Sequence, residues 1–206
     1  MLALSDALSA YQETSEICLV AADKDCQGLR HAKERGLPTA FVPYKGRPKA
    51  DSEAEMIAVL RQAKADWVIL AGFMRILSAE FVSAFEGRIL NIHPSLLPLY
   101  KGLDTHQRAL DNGDSQHGAT VHVVTAALDD GPILLQGAIP IHQKDDANSL
   151  AARLLPLEHW LYQSCIIGLV TGDLMLTSGQ AMWQSAPQNC PEGANVTMCQ
   201  IKSDLK

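Results

Sequence analysis

Apolar runs rich in β-forming residues alternate with runs of helical periodicity through the first half of the chain, and this alternation constrains the fold most. It occurs three times, with strands predicted at residues 17–22, 39–44 and 67–71 and helices at residues 29–35, 53–65 and 80–85. Gly36 and Gly87 lie where two of these helices end, and Ser52 with Glu55 forms a capping-box pattern that predicts a helix start. The order predicts an α/β fold, with a doubly wound, mostly parallel, Rossmann-like sheet and helices on both faces.

The second half of the chain predicts a different order of elements. After a strand at residues 88–92 come a Pro-rich loop, a short helix at 105–112, a hairpin with strands 119–125 and 133–141, and a long helix at 148–169. From residue 177 the sequence is rich in Ser, Gln, Asn, Pro and Gly, which bury little apolar surface. We therefore expect one domain over residues 1–176 and a poorly packed tail over residues 177–206.

The first residues of the chain lack a feature that such a sheet ordinarily has. Leu4, Leu8 and Tyr11 recur at helical spacing, so a helix is predicted to begin almost at Met1. A doubly wound sheet ordinarily begins with a strand, followed by a Gly-rich loop that holds a phosphate at the start of the first helix. The first strand and its loop are therefore expected to be absent from the sequence as it stands.

The composition narrows the kind of ligand that the chain can bind. Its 206 residues carry 17 Lys and Arg against 23 Asp and Glu, a formal net charge of -6. This charge gives no long-range attraction to nucleic acid or to an anionic membrane, and no apolar stretch reaches the roughly 20 residues that span a bilayer. The five cysteines are widely spaced without a Cys-x-x-Cys pair, which favours reduced thiols. We expect a cytoplasmic protein with small-molecule ligands, either a monomer or a weak homodimer.

Asn91 and His93 form the most informative pair of polar residues. They alternate along the end of a predicted strand, so both side chains point to one face, and Pro94 ends the strand beside them. Ligands bind at the carboxyl edge of open α/β sheets, and an amide donor beside an imidazole suits a reaction that passes through a tetrahedral oxyanion. The spacing alone leaves a second interpretation open, in which His93 makes a structural hydrogen bond to a loop.

A longer pattern of sequence blocks indicates a family. The blocks are Asn-Ile-His-Pro-Ser-Leu-Leu-Pro at 91–98, Lys-Gly-Leu-Asp-Thr-His at 101–106, His-Gly-Ala-Thr-Val-His at 117–122, Leu-Asp-Asp-Gly-Pro at 128–132 and Leu-Ala-Gly-Phe-Met-Arg-Ile-Leu at 70–77. In this order and spacing they closely resemble the 10-formyltetrahydrofolate-dependent formyltransferases, and within them the glycinamide ribonucleotide branch. The resemblance extends from about residue 18 to residue 170, and its separate blocks make it specific.

The resemblance implies that Asn91, His93 and Asp129 are the catalytic residues. The reaction would move a formyl group from 10-formyltetrahydrofolate to the amine of 5'-phosphoribosylglycinamide, a step of de novo purine (IMP) biosynthesis. Asn91 and protonated His93 would stabilise the oxyanion, His93 would donate a proton to the departing folate nitrogen, and Asp129 would favour the imidazolium and order a water. By its residues alone, segment 128–131 favours a hairpin turn, and only one of Asp129 and Asp130 can face His93.

The resemblance also implies two sets of binding residues. The folate site would be formed by residues of both halves of the chain, namely Lys49, Met74, Arg75, Ile76, Leu77, Asn91, Thr125, Ala126, Ala127, Leu128 and Asp129. The ribonucleotide site would include Ile92, Pro94 and Glu158. Composition alone also allows residues 73–77 to be an ordinary connection with core side chains, and Lys49 to be a solvated lysine.

His106, His117 and His122 are interpreted without a metal. Their spacing matches no zinc pattern and no cysteine lies near them, so no metal site is expected. The resemblance implies that His106 and His122 make structural hydrogen bonds around the active-site loop. Asp104 departs from the family, which usually has a histidine at this position.

Two other functions stay open, because the loop that the family uses to hold the ribonucleotide phosphate is not found in the sequence. One is a non-catalytic remnant that binds folate or nucleotide, and the other is hydrolysis of formyltetrahydrofolate. Transfer to initiator methionyl-tRNA is disfavoured, because it needs a basic surface and a further nucleic-acid-binding domain.

The expected explanation of the missing loop is that Met1 is an internal methionine of a longer reading frame. The upstream DNA would then encode a strand and a Gly-rich loop, about a dozen residues from the usual lengths of such elements. Sequencing the DNA upstream of the Met1 codon tests this expectation. An in-frame stop codon with no such segment encoded would instead favour a genuine short chain with impaired catalysis.

Overall fold

The computed structural model describes residues 2–177 and 180–198. Met1 and two parts of the predicted tail, residues 178–179 and 199–206 with Cys199, lie outside the described residues. The chain divides into two compact units, Met1–Ile89 and Leu90–Lys206, where the sequence predicts one domain over residues 1–176. Within the described ranges, no helix is long and apolar enough to cross a bilayer.

Strands and helices alternate in the first unit, as predicted. The elements are α1 (Leu2–Leu8) with a 3-10 turn at Ser9–Tyr11, β1 (Val20–Ala22), α2 (Gln27–Glu34), β2 (Thr39–Phe41), α3 (Lys49–Gln62), β3 (Val68–Ile69) and α4 (Ala79–Ala84). β1 and β2 pair in parallel, with Val20 opposite Thr39. Gly36 follows α2 with a φ of +71°, a left-handed conformation that a residue without Cβ adopts freely.

The start of α3 differs from the capping-box prediction. The helix begins at Lys49, directly after Pro48, and Ser52 lies inside it. The Ser52 hydroxyl donates to the Pro43 carbonyl at 2.9 Å instead of capping the helix. Pro48 already supplies a backbone fixed near φ -56°, so the helix starts there.

The second unit contains the longer elements. They are β4 (Ile89–His93), which begins at the boundary, α5 (Thr105–Asp111), β5 (Gln116–Val123), β6 (Ile133–Pro140), α6 (Ala147–Thr171), β7 (Leu174–Thr177), β8 (Gln180–Trp183) and β9 (Asn195–Met198). β5 and β6 form the predicted hairpin. α6 starts with a capping box of Asp146 and Ser149 and ends at Gly172, whose φ is +82°.

The strand pairs correct one part of the fold prediction. The α/β class is confirmed, but β4 with β5, β5 with β6, and β6 with β9 are all antiparallel pairs. A hairpin connection reverses the direction of the chain, so β5 and β6 cannot be parallel. The sheet is therefore mixed: the antiparallel pair β5–β6 is the predicted hairpin, whereas the antiparallel pairs β4–β5 and β6–β9 are not part of the prediction.

Two short segments of the predicted tail, residues 180–183 and 195–198, are held as strands. Trp183 is 3% exposed, and its Nε1–H donates to the Leu134 carbonyl at 2.9 Å. A Cβ at Gly168 of α6 would lie 2.7 Å from the Trp183 ring, so the helix and the indole are in close contact. β9 adds to the edge of β6. The prediction of a poorly packed tail is therefore wrong for residues 180–183 and 195–198.

His117 is a buried histidine of β5 whose protonation is linked to folding. Its side chain lies 4.9 Å from the His106 ring, measured between centroids. Burial is the main cause that lowers the pKa of His117 from 6.5 to about 4; the neighbouring His106 contributes in the same direction, whereas the Pro94 carbonyl and Asp114 partly oppose the shift. The folded chain therefore holds His117 neutral at pH values where an unfolded chain binds a proton.

Protonation of His117 is predicted to destabilise the fold in acid. As the pH falls from about 6.5 to about 4, the unfolded state gains the proton first, so the free energy of unfolding falls by up to about 3 kcal/mol from this group. Urea unfolding of the wild type and of His117→Phe between pH 7 and 4.5 measures the effect. The free energy of unfolding of His117→Phe should fall less steeply with falling pH than that of the wild type. Substitution of the exposed His142 by Gln should leave this pH dependence unchanged. Equal slopes in His117→Phe and the wild type would refute the linkage.

Candidate active site

Asn91 and His93 lie on β4, where strand alternation places both side chains on the same face of the sheet. His93 is 5% exposed and Asn91 is half-buried. Antiparallel pairing sets Asn91 opposite His122 and His93 opposite Thr120. The pairing therefore brings a second histidine to the amide of Asn91.

The hydrogen bond of His93 fixes the tautomer of its ring. Its Nε2 lies 2.9 Å from the Tyr100 carbonyl oxygen. A carbonyl can only accept, so Nε2 carries the hydrogen and donates it. The remaining nitrogen, Nδ1, lies 3.5 Å from Oδ2 of Asp129, within ion-pair distance when the ring is protonated. Nδ1 is therefore the nitrogen that can gain and lose a proton, and it does so next to a carboxylate.

Asp129 is held in place by the backbone of a neighbouring loop. Its Oδ2 accepts the Gly102 N–H at 2.9 Å, and its own backbone has a φ of +46°, which turns the side chain inward. Asp130 points the other way and forms an ion pair with Lys101. The structure thus brings Asp129 rather than Asp130 to His93, as the sequence predicts.

His122 orients the amide of Asn91. Burial lowers the pKa of His122, although the Val123 carbonyl and Asp129 act in the opposite direction, so the ring is neutral. Its Nδ1 lies 3.1 Å from the Val123 carbonyl and donates to it, which leaves Nε2 as an acceptor. The Nδ2 of Asn91 donates to this Nε2 at 3.2 Å. One N–H of the Asn91 amide is therefore engaged, and the other is available to a ligand.

The cluster of Asn91, His93, His122 and Asp129 can perform acyl-transfer chemistry. It offers an oriented amide donor, an imidazole with one nitrogen free to accept a proton, and a carboxylate beside that nitrogen. The distance of 3.9 Å from His122 Nε2 to Asp129 Oδ1 is too long for a direct hydrogen bond, so His122 acts on Asn91. A tetrahedral oxyanion would find donors on two sides.

The other second-unit residues named by the sequence surround this cluster less closely. Thr125 donates to the Ala127 carbonyl at 3.3 Å, Ala126 lies between them, and Leu128 is exposed. Ile92 and Pro94 are half-buried on either side of His93. Leu128 directly precedes Asp129 in the chain, and Ile92 and Pro94 directly adjoin His93, so these six residues lie in the segments that carry the cluster or continue from them.

Glu158 lies on α6, one turn before Tyr162, whose hydroxyl donates to the Leu90 carbonyl at 3.0 Å. Burial raises the pKa of Glu158 to about 7. A carboxyl with this pKa is part neutral and part charged near pH 7. Its charge therefore depends on small changes in pH and on any cation that approaches it.

The first unit holds the remaining predicted residues. Met74 and Ile76 are 75% and 62% exposed, whereas Leu77 is buried. Arg75 forms an ion pair with Asp23 at 2.5 Å and lies over the Tyr44 ring. Lys49 is exposed and lies 3.7 Å from Glu53. The exposed apolar side chains 74 and 76 therefore offer a surface to a flat ligand, while Arg75 and Lys49 already have acidic partners.

Sequence reasoning missed the backbone groups that organise the site. The Tyr100 carbonyl contacts His93, and the Gly102 N–H contacts Asp129. No pattern of side chains in the sequence predicts these two backbone contacts. The sequence predicts a structural role for His122. A prediction that β5 pairs with β4 so that His122 lies opposite Asn91 would have placed it at the site. Among the residues that the structure describes, no group of three or more His, Cys, Asp or Glu side chains could hold a metal ion.

Comparison with known proteins agrees with this chemistry. Residues 2–166 match the family described as formyl transferase. The phosphoribosylglycinamide formyltransferase of Escherichia coli K12 is 38% identical over 193 residues, which are 93% of this chain and 91% of that protein. The crystal structure of the enzyme of that name from Anaplasma phagocytophilum superimposes with a TM-score of 0.80 at 35% identity, covering 89% of this chain and 87% of the other.

A more distant structure has a related activity in its name. It is a formyltetrahydrofolate deformylase from Burkholderia mallei, with a TM-score of 0.78 at 27% identity, covering 87% of this chain and 64% of the other. The family match covers most of the sequence and includes the strand and loops that carry Asn91, His93 and Asp129. The chain belongs to the formyl transferase family.

Proposed function

We propose that the chain transfers the formyl group of 10-formyltetrahydrofolate to the amine of 5'-phosphoribosylglycinamide, in the purine pathway that leads to IMP. The observation that carries the proposal is the His93 ring, whose Nε2–H is bound to a carbonyl and whose Nδ1 faces the Asp129 carboxylate at 3.5 Å. This arrangement suits a proton that must leave an amine and reach a departing nitrogen.

In the proposed reaction the amine nitrogen forms a bond to the formyl carbon, and the formyl oxygen becomes an oxyanion. The free N–H of Asn91 and the Nδ1–H of protonated His93 stabilise that charge. The carbon–nitrogen bond to the folate then breaks, His93 donates its proton to the folate nitrogen, and the attacking amine loses a proton. Asp129 stabilises the imidazolium before the transfer and orders a water that carries the proton of the amine.

Folate-binding residues are proposed in each unit separately. In the first unit the residues are Lys49, Met74, Arg75, Ile76 and Leu77, with the exposed Met74 and Ile76 supplying apolar surface. In the second unit the loop Thr125 to Asp129 and Asn91 complete the set. Small molecules are the proposed partners, with neither nucleic acid nor membrane involved, and the cytoplasm is the proposed location.

The ribonucleotide is proposed to contact Ile92, Pro94 and Glu158. Ile92 and Pro94 adjoin His93 in the chain, so a substrate that contacts their backbone would lie close to the imidazole. Glu158 in its charged form would accept a hydrogen bond from the glycinamide amine or from the ribose. The raised pKa of Glu158 makes this contact dependent on pH near neutrality.

Hydrolysis of formyltetrahydrofolate is the second candidate function, favoured by the likeness to the Burkholderia mallei deformylase. Water would then replace the amine as the nucleophile, and formate would be released. Incubation with the formyl folate alone distinguishes the two reactions. Formate release at the same rate with and without the ribonucleotide would identify a hydrolase, and no turnover under either condition would favour a non-catalytic remnant.

Substitution of His93 by Ala is predicted to lower kcat at least about a hundredfold, as expected when a general acid is lost. The measurement is formation of the formylated ribonucleotide at saturating concentrations of both substrates. The exposed His142 serves as a control, and His142→Ala should retain wild-type turnover. Near-normal turnover of His93→Ala would remove this histidine from the mechanism.

Substitution of Glu158 by Gln is predicted to raise the KM for the ribonucleotide about tenfold at pH 8, where Glu158 is charged, since a hydrogen bond to a charged group is worth about 1.5–3 kcal/mol. At pH 6 the wild-type carboxyl is largely protonated, because its pKa is about 7, so the difference between the two proteins should narrow. Steady-state kinetics at both pH values test this, with the exposed Glu192→Gln as the control. A KM ratio that does not change between pH 6 and pH 8 would contradict the assigned role.

A further inference from the structure

Residues 100–103 form a short loop that contacts both His93 and Asp129 through its backbone. The Tyr100 carbonyl accepts the Nε2–H of His93 at 2.9 Å, and the Gly102 N–H donates to Asp129 Oδ2 at 2.9 Å. Lys101 adds an ion pair with Asp130. The path of this loop therefore sets the orientation of two side chains that carry the proposed chemistry.

The loop is held from outside by Arg108 of α5. One nitrogen of its guanidinium donates to the Lys101 carbonyl at 2.7 Å and lies 3.3 Å from the Leu103 carbonyl. The centre of the guanidinium lies 5.2 Å from the centroid of the Tyr100 ring, in a cation–π contact. Arg108 thus touches the loop at three points, and it touches neither His93 nor Asp129 itself.

The same loop contains a backbone conformation that needs such support. Tyr100 has a φ of +54°, in the left-handed region, which is sterically strained for a residue with a Cβ. Its hydroxyl donates to Asp114 at 2.5 Å, which fixes the far end of the side chain. The hydroxyl and the guanidinium together hold the residue in the one conformation that aims its carbonyl at His93.

We propose that Arg108 is a positioning residue, which fixes the tautomer of His93 by holding the carbonyl of Tyr100 in place; this role rests on the proposed formyl transfer. Arg108 is suited to it because one guanidinium nitrogen reaches two carbonyls while the planar group also lies over the Tyr100 ring, a planar contact that an ammonium group does not offer. Without Arg108 the loop relaxes, the carbonyl moves away from Nε2, and the hydrogen of the neutral ring is free to occupy either nitrogen.

The test compares Arg108→Met and Arg108→Lys with the wild type. Methionine keeps an apolar side chain and removes every donor, whereas lysine keeps the charge and the N–H donors but lacks the planar group that lies over the Tyr100 ring. The matched control is Arg153→Met, because Arg153 also joins a backbone carbonyl, that of Pro140, and a carboxylate, that of Asp145, at another place in the same unit. The readouts are the ¹⁵N NMR signals of the His93 ring, assigned by their loss in His93→Ala, and the separate values of kcat and KM.

In the wild type, the neutral form of the His93 ring is expected to carry its hydrogen on Nε2 alone. Arg108→Met should show a mixture of both tautomers and a kcat about tenfold lower, with KM for both substrates within about twofold, because misplaced catalytic groups affect the reaction more than binding. Arg108→Lys should show less of the second tautomer, and a smaller decrease in kcat, than Arg108→Met. Arg153→Met should match the wild type in the NMR signals and in kcat.

Wild-type His93 signals in Arg108→Met, or the same change in Arg153→Met, would overturn the proposal. If circular dichroism shows that Arg108→Met is unfolded, the comparison of Arg108→Lys with the wild type decides, and unchanged signals in that variant would also overturn it. The NMR readout needs no substrate. A wild-type chain that transfers no formyl group while Arg108→Met shifts the tautomer would refute the proposed function and leave the positioning role intact.

Discussion

The hydrogen bond from His93 to the carbonyl of Tyr100 determines how the rest of the site is arranged. A carbonyl accepts only, so this bond assigns the hydrogen to Nε2 and leaves Nδ1 to face Asp129. The opposite tautomer occurs at His122, where the Val123 carbonyl takes Nδ1–H and leaves Nε2 to accept from Asn91. Two backbone carbonyls therefore assign different tautomers to two neighbouring histidines, so that one has a free nitrogen beside a carboxylate and the other accepts a hydrogen bond from an amide.

The sequence predicts the side chains of this site better than it predicts their supports. Asn91 and His93 share a face because strand alternation has a period of two residues, and the same rule allows only one of Asp129 and Asp130 to face inward. These statements depend only on local geometry. Almost every residue has a backbone carbonyl and an N–H, so the sequence does not single out those of Tyr100 and Gly102. Whether these two groups reach His93 and Asp129 depends on the path of the loop, which local sequence patterns do not predict.

The region after residue 176 illustrates a second limit of sequence reasoning. Its polar composition predicts little packing, yet β9 pairs with β6 through backbone hydrogen bonds, which require no apolar side chain. Trp183 supplies one large buried surface and a hydrogen bond to the Leu134 carbonyl. A strand that adds to an existing sheet edge needs only one face to be covered. Average composition therefore underestimates how well a short segment can be held when a sheet is already present.

The chemistry of the loop around His93 depends on its conformation more than on the identity of its side chains. Tyr100, Asp104 and Asp129 all have left-handed backbones, with φ values of +54°, +58° and +46°, and Gly102 lies among them at +84°. Aspartate adopts this conformation more readily than most residues, because its short polar side chain can bond locally. Asp104, where the family usually has a histidine, therefore keeps the turn that leads into α5 and leaves Arg108 facing the loop. The Asp104 side chain makes no capping hydrogen bond at the start of α5, so this turn depends on its backbone conformation.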